Sequence, residues 1–300
     1  MRLLRSFVWV VICSSWSFAF GQENEKPRFQ FGVIADVQYC ACENSGTRHY
    51  SQSPEKLAEA VAELNLHDLK FVVSLGDFID RDFQSYDTLI AIANDLKCPL
   101  NHALGNHEFS VDESLKTQIP GLLGLQDRYY SKSLKGWRFI YLDGNRVSLY
   151  GAEKGSDEFK EAEGIYAQLK ESEVPNAQTW NGALGRNQLT WVREELDQAK
   201  RKKQRVMLFC HFPVIPKRAA HNLWDDTELL ELINKYNNVV AYFNGHTHKG
   251  HYQQENNVHH LAFEGMVEQD TNAFAIVSVF DDRLEIKGFG REQDRVLKFE

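Results

Sequence analysis

Positive charge is in short supply. The 300-residue chain has 34 Lys and Arg against 42 Asp and Glu, a formal net charge of -8. It lacks the basic surface that a counterion-releasing grip on nucleic acid or on an anionic membrane requires. An anionic ligand must therefore be met by local cations, either Lys and Arg side chains or bound metal. Cysteine is scarce too: Cys13, Cys40, Cys42, Cys98 and Cys210 are too few for a disulfide-dependent scaffold. Cys40-Ala41-Cys42 has no second cysteine pair to complete a zinc site, and its two members stand too close in sequence for an easy mutual bridge. Cys40, Cys42, Cys98 and Cys210 are read as structural, with one bridge left open. No internal repeat or low-complexity tract is present. Hydrophobic residues at 43% and charged residues at 25% are the proportions of a globular protein able to bury a sizeable core.

An uninterrupted apolar run of the roughly 20 residues a membrane span needs is also missing. The nearest candidate is the start. Met1-Arg2-Leu3-Leu4-Arg5 is basic, Phe7 to Phe20 is apolar but broken by serines, and Ala19-Phe20-Gly21 fits small-residue cleavage before Gln22. These features read as a secretory signal peptide over residues 1–21, with no membrane insertion once it is cleaved. A lipoprotein site at Cys13 is disfavoured by Ile12 before it. The chain is expected to be secreted or periplasmic, with residues 22–28 as a disordered leader and 29–300 as one domain.

Within that domain, apolar β-branched runs alternate with helical patterns. Phe29 to Asp36, Leu69 to Leu75, Pro99 to Leu104, Arg205 to Cys210 and Val239 to Phe243 read as buried strands, each delivering a polar residue at or just past its carboxyl end. Helices are expected over Ser53 to Leu66, with Ser53 as N-cap and Pro54 next, and over Tyr86 to Leu96, Gln188 to Lys200 and Thr227 to Tyr236. Arg138 to Leu142 and a tail hairpin, Ala273 to Phe280 and Arg283 to Gly288 turning at Asp281-Asp282, complete the sheets. The stretch 144–183 is polar and broken by Gly and Pro, as an inserted cap or lid would be. The alternation predicts an α/β fold with its ligand outside the carboxyl ends of the strands.

Those ends carry Asp36, Gln38, Asp77, Asn106, His211, His246 and His248. Carboxylate and amide oxygen with imidazole nitrogen is the donor set that hard and borderline divalent metals take. One such residue alone is an ordinary turn or a structural histidine. In order, Asp36-Val37-Gln38, Gly76-Asp77-Phe78-Ile79-Asp80, Gly105-Asn106-His107-Glu108, His211-Phe212-Pro213 and Gly245-His246-Thr247-His248 resemble the five signature blocks of the calcineurin-like metallophosphoesterases. The resemblance runs from Phe31 to about Gly290. It implies a four-layer α/β/β/α sandwich of two mixed β-sheets flanked by helices, and two divalent metal ions.

Carried over, the resemblance gives Asp36, Gln38, Asp77 and His248 to one ion, and Asp77, Asn106, His211 and His246 to the other, with Asp77 bridging. The nucleophile it implies is a water activated between the ions, so no Ser or Cys nucleophile is needed. His107 stands outside the ligand set. The family histidine it matches faces the scissile phosphoryl group, where an imidazolium stabilises charge or protonates the leaving oxygen; the other reading is a residue that orients a ligand. Asp80 and Glu108 are expected to support the ligands from behind.

Gln38 departs from the commoner pattern, which has His there. A neutral amide oxygen shifts preference toward harder metals such as Mn²⁺ or Mg²⁺. Gln in this place resembles one branch, the manganese-dependent ADP-ribose and CDP-alcohol diphosphatases. Gly46-Thr47-Arg48, Gly185 to Trp191, Gly245 to Gly250, Glu264-Gly265 and Gly288 to Arg291 follow that branch as well. The implied substrate is a small nucleotide-type molecule whose phosphoanhydride is cut, with Mn²⁺ favoured and Mg²⁺, Fe or Zn²⁺ also fitting. Arg48 reads either as a substrate-phosphate contact or as a surface ion pair. Tyr39, Phe109, Phe212 and Trp224, near the blocks, read either as base-stacking residues or, as is commoner for such aromatics, as core. Of the remaining histidines, His251 is expected to line the site, and His49, His221, His259 and His260 to lie at the surface. Two rival enzyme readings are a broader phosphomonoesterase and a cyclic-nucleotide phosphodiesterase. A purple acid phosphatase is disfavoured because Asp80 stands where that branch resembles Tyr. The non-enzyme reading is a scaffold with a partial metal site.

Overall fold

A computed structural model describes residues 25–300. The expected signal peptide lies outside the described residues. Of the expected leader, residues 25–28 run straight into the first strand, where the Arg28 N–H donates to Val279 O at 2.8 Å.

Twelve strands form two six-stranded sheets. The first holds β1 (Phe29–Ile34), β2 (Leu69–Ser74), β3 (Leu100–His102), β10 (Ala273–Val279), β11 (Arg283–Gly290) and β12 (Arg295–Lys298), in the order β12-β11-β10-β1-β2-β3. The second holds β4 (Tyr130–Leu134), β5 (Trp137–Tyr141), β6 (Arg205–Phe209), β7 (Val239–Asn244), β8 (Lys249–Glu255) and β9 (Val258–Glu264), in the order β4-β5-β6-β7-β9-β8. Each sheet has a parallel block, β1-β2-β3 in one and β5-β6-β7-β9 in the other, flanked by antiparallel strands. Both are mixed sheets, as the four-layer expectation requires.

Side-chain alternation assembles the layers. In β1, Phe29, Phe31 and Val33 face the other sheet, while Ile34 faces the helices. In β6, Met207 and Phe209 point inward, and Val206, Leu208 and Cys210 point to the helices on the outer side. With both faces covered, a strand reads as a continuous apolar run. The helices α1 (Ser53–Leu64) and α2 (Ser85–Ala93) cover the first sheet, with α3 (Ile119–Leu122) beside them; α5 (Gly185–Arg201) and α6 (Asp226–Ile233) cover the second. The middle layer is aromatic. Phe31 stacks on Phe71 at 4.9 Å between ring centres and meets Phe139 and Phe209 edge-on at 6.1 and 6.0 Å, which ties the sheets together.

Several details differ from the sequence reading. α1 starts at Ser53 itself, with Gln52 in the cap position, because a 3-10 turn at Tyr50–Gln52 feeds directly into it. The stretch 144–183 contains α4 (Asp157–Glu171), whose N-cap Ser156 accepts the Phe159 N–H. Its apolar residues Val147, Ala162, Leu169, Ala177 and Ala183 pack on Trp224. β4, β8, β9 and β12 went unread; β4, β8 and β12 are short or polar strands paired antiparallel at the sheet margins, and β9 is an inner strand, parallel to β7, whose apolar run is broken by His259-His260. Cys40 and Cys42 are joined as a disulfide, contrary to expectation. The chain bends at Ala41 and Cys42, and the Cα atoms stand 5.2 Å apart, within the span a disulfide bridges.

Phe31 is fully buried at the centre of the aromatic layer. Phe31→Ala is expected to destabilise the protein by about 3–5 kcal/mol, read from urea unfolding; a loss below about 1 kcal/mol would show that the sheets are held elsewhere.

Candidate metal centre

The parallel strands of both sheets end at one place, and the backbone there is bent into an unfavourable shape. Asp36, Gln38, Asp77, His246 and His248 have φ of 49°, 45°, 52°, 69° and 59°. A residue with a Cβ in this left-handed region costs on the order of 1 kcal/mol and persists only where its surroundings impose it. Here they do. Asp36 N–H donates to Gly76 O at 3.1 Å, Gln38 N–H to Asp77 O at 2.8 Å, and the His246 N–H reaches both oxygens of the Asp36 carboxylate at 3.1 Å. Glycines before Asp77, Asn106 and His246 make room. At Gly76 a Cβ would meet His211 Nδ1 at 2.5 Å, at Gly245 it would meet Asp36 Oδ2 at 2.5 Å, and at Gly105 it would collide with Asp77.

Around these bends the seven expected ligand residues come together, every one of them buried. His211 Nε2 lies 3.0 Å from His246 Nδ1, 3.2 Å from Asn106 Oδ1 and 3.2 Å from Asp77 Oδ2. His248 Nε2 lies 3.3 Å from Asp36 Oδ1, and the Gln38 amide nitrogen 3.4 Å from Asp77 Oδ2. Donors that share one ion at about 2.0–2.2 Å stand roughly 2.8–3.6 Å from each other in octahedral or tetrahedral shells, so this spacing suits a cation. Two donor groups share Asp77: one with His211 and His246, the other with Asp36 and His248. Gln38 Oε1 is buried without a hydrogen-bond partner among the described residues, and a cation supplies what it lacks.

The ring nitrogens are assigned by their neighbours. His211 Nδ1–H donates to Leu75 O at 2.8 Å, His248 Nδ1–H to Glu268 Oε1 at 2.8 Å, and His246 Nε2–H to Asn181 Oδ1 at 3.3 Å. Each histidine thus keeps its second ring nitrogen toward the centre, the arrangement metal-binding imidazoles adopt. Glu268 and Asn181 were missed from the sequence. Glu268 lies in a loop with no motif of its own, and Asn181 in the polar stretch whose composition gave no sign of a site.

Two acidic residues support the centre, as expected. Glu108, fully buried, accepts the N–H groups of Asp77 and Phe78 at 2.9 Å and of Gly105 at 3.0 Å, bracing two loops at once. Asp80 takes the Nδ1–H of His107 on its main-chain oxygen at 2.8 Å, with its carboxylate 3.2 Å away. His107 Nε2 makes no hydrogen bond among the described residues, and the main-chain N–H of His107 donates to Asp77 Oδ1 at 2.9 Å. Arg48 is 40% exposed, 3.8 Å from Glu268. His221 packs edge-on to His246 at 5.2 Å and, with His251, lines a cavity of about 100 Å³ beside the centre. His259 and His260 are buried, not superficial, because β9 is paired on both sides.

Without metal, charge within the cluster is shared as proton-bridged pairs. Burial alone would raise the Asp77 carboxyl, but the imidazoles of His211 and His107 hold it well below the usual range. Burial opposes charge on His211, yet Asp77 lifts it to about 9; His248 is lifted to about 9 against burial by Asp36 and Glu268. His246 goes the other way, lowered by burial and the neighbouring His211 charge. Burial and the Asp77 charge push Glu108 up to about 7.

The family model described as Calcineurin-like phosphoesterase matches residues 29–250. The chain is 32% identical over 313 residues to a protein of Arabidopsis thaliana named Manganese-dependent ADP-ribose/CDP-alcohol diphosphatase, covering 91% of this chain and 98% of the relative. It is 28% identical over 326 residues to the protein of that name from Xenopus laevis, covering 92% of each. Among solved structures, a dimetal phosphatase from Danio rerio is similar with a TM-score of 0.83 at 27% identity, over 92% of this chain and 100% of that one.

Metal and protons compete for His211 and His248. Both have folded values raised to about 9 from 6.5. Their ion pairs therefore stabilise the metal-free fold fully below about pH 6.5 and are lost as pH rises through about 9, while metal affinity climbs over the same interval. Adding Mn²⁺ at pH 7 should release close to two protons, seen as a calorimetric heat that changes with the buffer's ionisation enthalpy. A buffer-independent heat at pH 7 would show that these histidines are already neutral.

Proposed function

The chain belongs to the calcineurin-like phosphoesterase family and is a dimetal phosphoesterase hydrolase, and from that premise we propose that it cuts the phosphoanhydride of nucleoside-diphosphate-linked compounds such as ADP-ribose and CDP-alcohols, with Mn²⁺ favoured. Gln38 carries this reading. An amide stands where the commoner family pattern has imidazole, its buried oxygen lacks a partner, and proteins named manganese-dependent diphosphatases match over more than nine-tenths of the chain.

Asp36, Gln38, Asp77 and His248 would hold one ion, and Asp77, Asn106, His211 and His246 the other. When bound, the ion pair supplies Lewis-acid activation of water and neutralises charge on the phosphoryl oxygens. The chain's own residues supply the rest. Asp80 fixes the His107 ring, and the charges of Asp77 and Asp80 raise its pKa against burial, so that a protonated Nε2 faces the leaving oxygen as acid or charge stabiliser. Arg48, half-exposed beside Glu268, pairs with the second phosphate of the diphosphate. Asn181 and Glu268 keep His246 and His248 from rotating away.

Purified protein with Mn²⁺, Mg²⁺ or Zn²⁺, assayed against ADP-ribose, CDP-choline, a 2′,3′-cyclic nucleotide and a plain phosphomonoester, is expected to cut the first two best, and best with Mn²⁺. Turnover of the monoester alone would overturn the diphosphatase reading, and no turnover with any metal would favour a scaffold. Asp77→Asn should abolish turnover on all four with the fold intact by circular dichroism. In a separate variant, Gln38→His, the usable metals should broaden toward Zn²⁺; an unchanged metal profile would remove the role given to the amide.

A further inference from the structure

Lys56 is a buried lysine without a carboxylate partner among the described residues. It lies on α1 and is 4% exposed. Its ammonium donates to three main-chain oxygens of one short loop: Met266 O at 2.9 Å, Glu268 O at 3.3 Å, and Gln269 O. Three donors meet three acceptors, so the group is saturated. Burying a cation is costly, and an apolar side chain would fill the space more cheaply. The charge is explained by what the loop must do: its carbonyls turn inward together, and without the ammonium they would be left unpaired.

The outward side of the same loop serves the metal centre. Glu268 Oε1 receives His248 Nδ1–H, and the N–H groups of Met266 and Val267 donate to Ala35 O and Asp36 O at 2.9 and 3.0 Å. Arg291 grips the loop's shoulders at Gly265 O, 2.5 Å, and Thr271 O, 3.0 Å. From Lys56, contacts therefore run through Glu268 to His248 and through Met266 and Val267 to Asp36. The other donor group is braced by different parts: Leu75 O behind His211, Asn181 behind His246, and Glu108 across the Asp77 and Gly105 loops. None of these touches Lys56.

We propose that Lys56 is a positioning residue for one ion of the pair, the one assigned to Asp36, Gln38, Asp77 and His248, and that its loss weakens this ion while sparing its neighbour. The proposal rests on the allocation of ligands given above, not on the identity of the substrate.

The test needs only metal. Metal-free protein is titrated with Mn²⁺ by calorimetry, and the spin coupling of the two ions is followed by electron paramagnetic resonance. The wild type is expected to take up two ions and give a coupled spectrum. Lys56→Met should keep one ion at wild-type affinity, weaken the second by about 10–100-fold, and give an uncoupled signal at one equivalent. Lys56→Arg should recover part of the loss. Asn181→Ala should weaken the opposite ion. A folded Lys56→Met protein that binds both ions as the wild type does, or loses both equally, overturns the proposal. Should Lys56→Met fail to fold, Lys56→Arg decides, since it keeps the cation but displaces its donors from the three carbonyls. Selective loss of one ion supports the proposal, and equal or absent loss overturns it. A wild type that binds a single ion overturns the allocation itself, before any substitution and apart from any assay of the phosphoanhydride.

Discussion

Asp77 Oδ2 and His211 Nε2 stand 3.2 Å apart, one from the turn after β2 and the other from the end of β6. Across this contact the two sheets meet. Every oxygen donor of the centre, from Asp36, Gln38, Asp77 and Asn106, comes from the first sheet, and every nitrogen donor, from His211, His246 and His248, comes from the second. A mixed oxygen and nitrogen shell therefore exists only while the sheets are packed at this edge. The aromatic layer of Phe31, Phe71, Phe139 and Phe209 sets that packing. Because no donor set of this kind is assembled in the unfolded chain, a cation that bridges the sheets binds the native state preferentially and stabilises it by mass action.

The same edge concentrates the backbone strain. Five of the seven proposed ligands occupy left-handed conformations, which together cost on the order of several kcal/mol. The strain is offset locally: by Gly76, Gly105 and Gly245, which leave space for neighbouring side chains and backbone, and by Glu108 and the Asp36 carboxylate, which collect main-chain N–H groups pointing into the interior. Backbone bent this sharply carries two adjacent ligands of one strand end, such as Asp36 and Gln38, around a cation in a way that extended chain does not. The strain is the geometric condition for crowding seven donors into so small a volume.

How much of this was legible in the sequence follows from where each signal lies. The inner strands β1, β2, β6 and β7 announce themselves because burial on both faces makes them continuous apolar runs, and the polar residue past each end marks the site. The marginal strands β4, β8 and β12 carry polar and charged residues, Tyr-Ser-Lys-Ser-Leu in β4 for example, and pairing at a sheet margin rather than composition makes them strands. His259 and His260 looked superficial as a polar pair, but β9 is enclosed between β7 and β8. The supporting residues were least visible. Glu268, Asn181 and Lys56 act through contacts with residues 20, 65 and about 210 positions away, and no local pattern encodes such a distance. Cys40 and Cys42 misled for a related reason, since sequence separation says nothing of the bend between them.

The charge deficit of the chain acquires its sense at this centre. A surface with a formal net charge of -8 repels a nucleoside diphosphate at long range. Among the proposed ligands the balance is reversed: only Asp36 and Asp77 are carboxylates, so two divalent cations would leave an excess of positive charge. The remaining ligands are neutral, and choosing amide over carboxylate at Gln38 and Asn106 preserves that excess. An acidic residue at either position would bind a cation more tightly in isolation, yet would spend the charge needed to hold a phosphate. Attraction for an anion at this edge then depends on the metal being there.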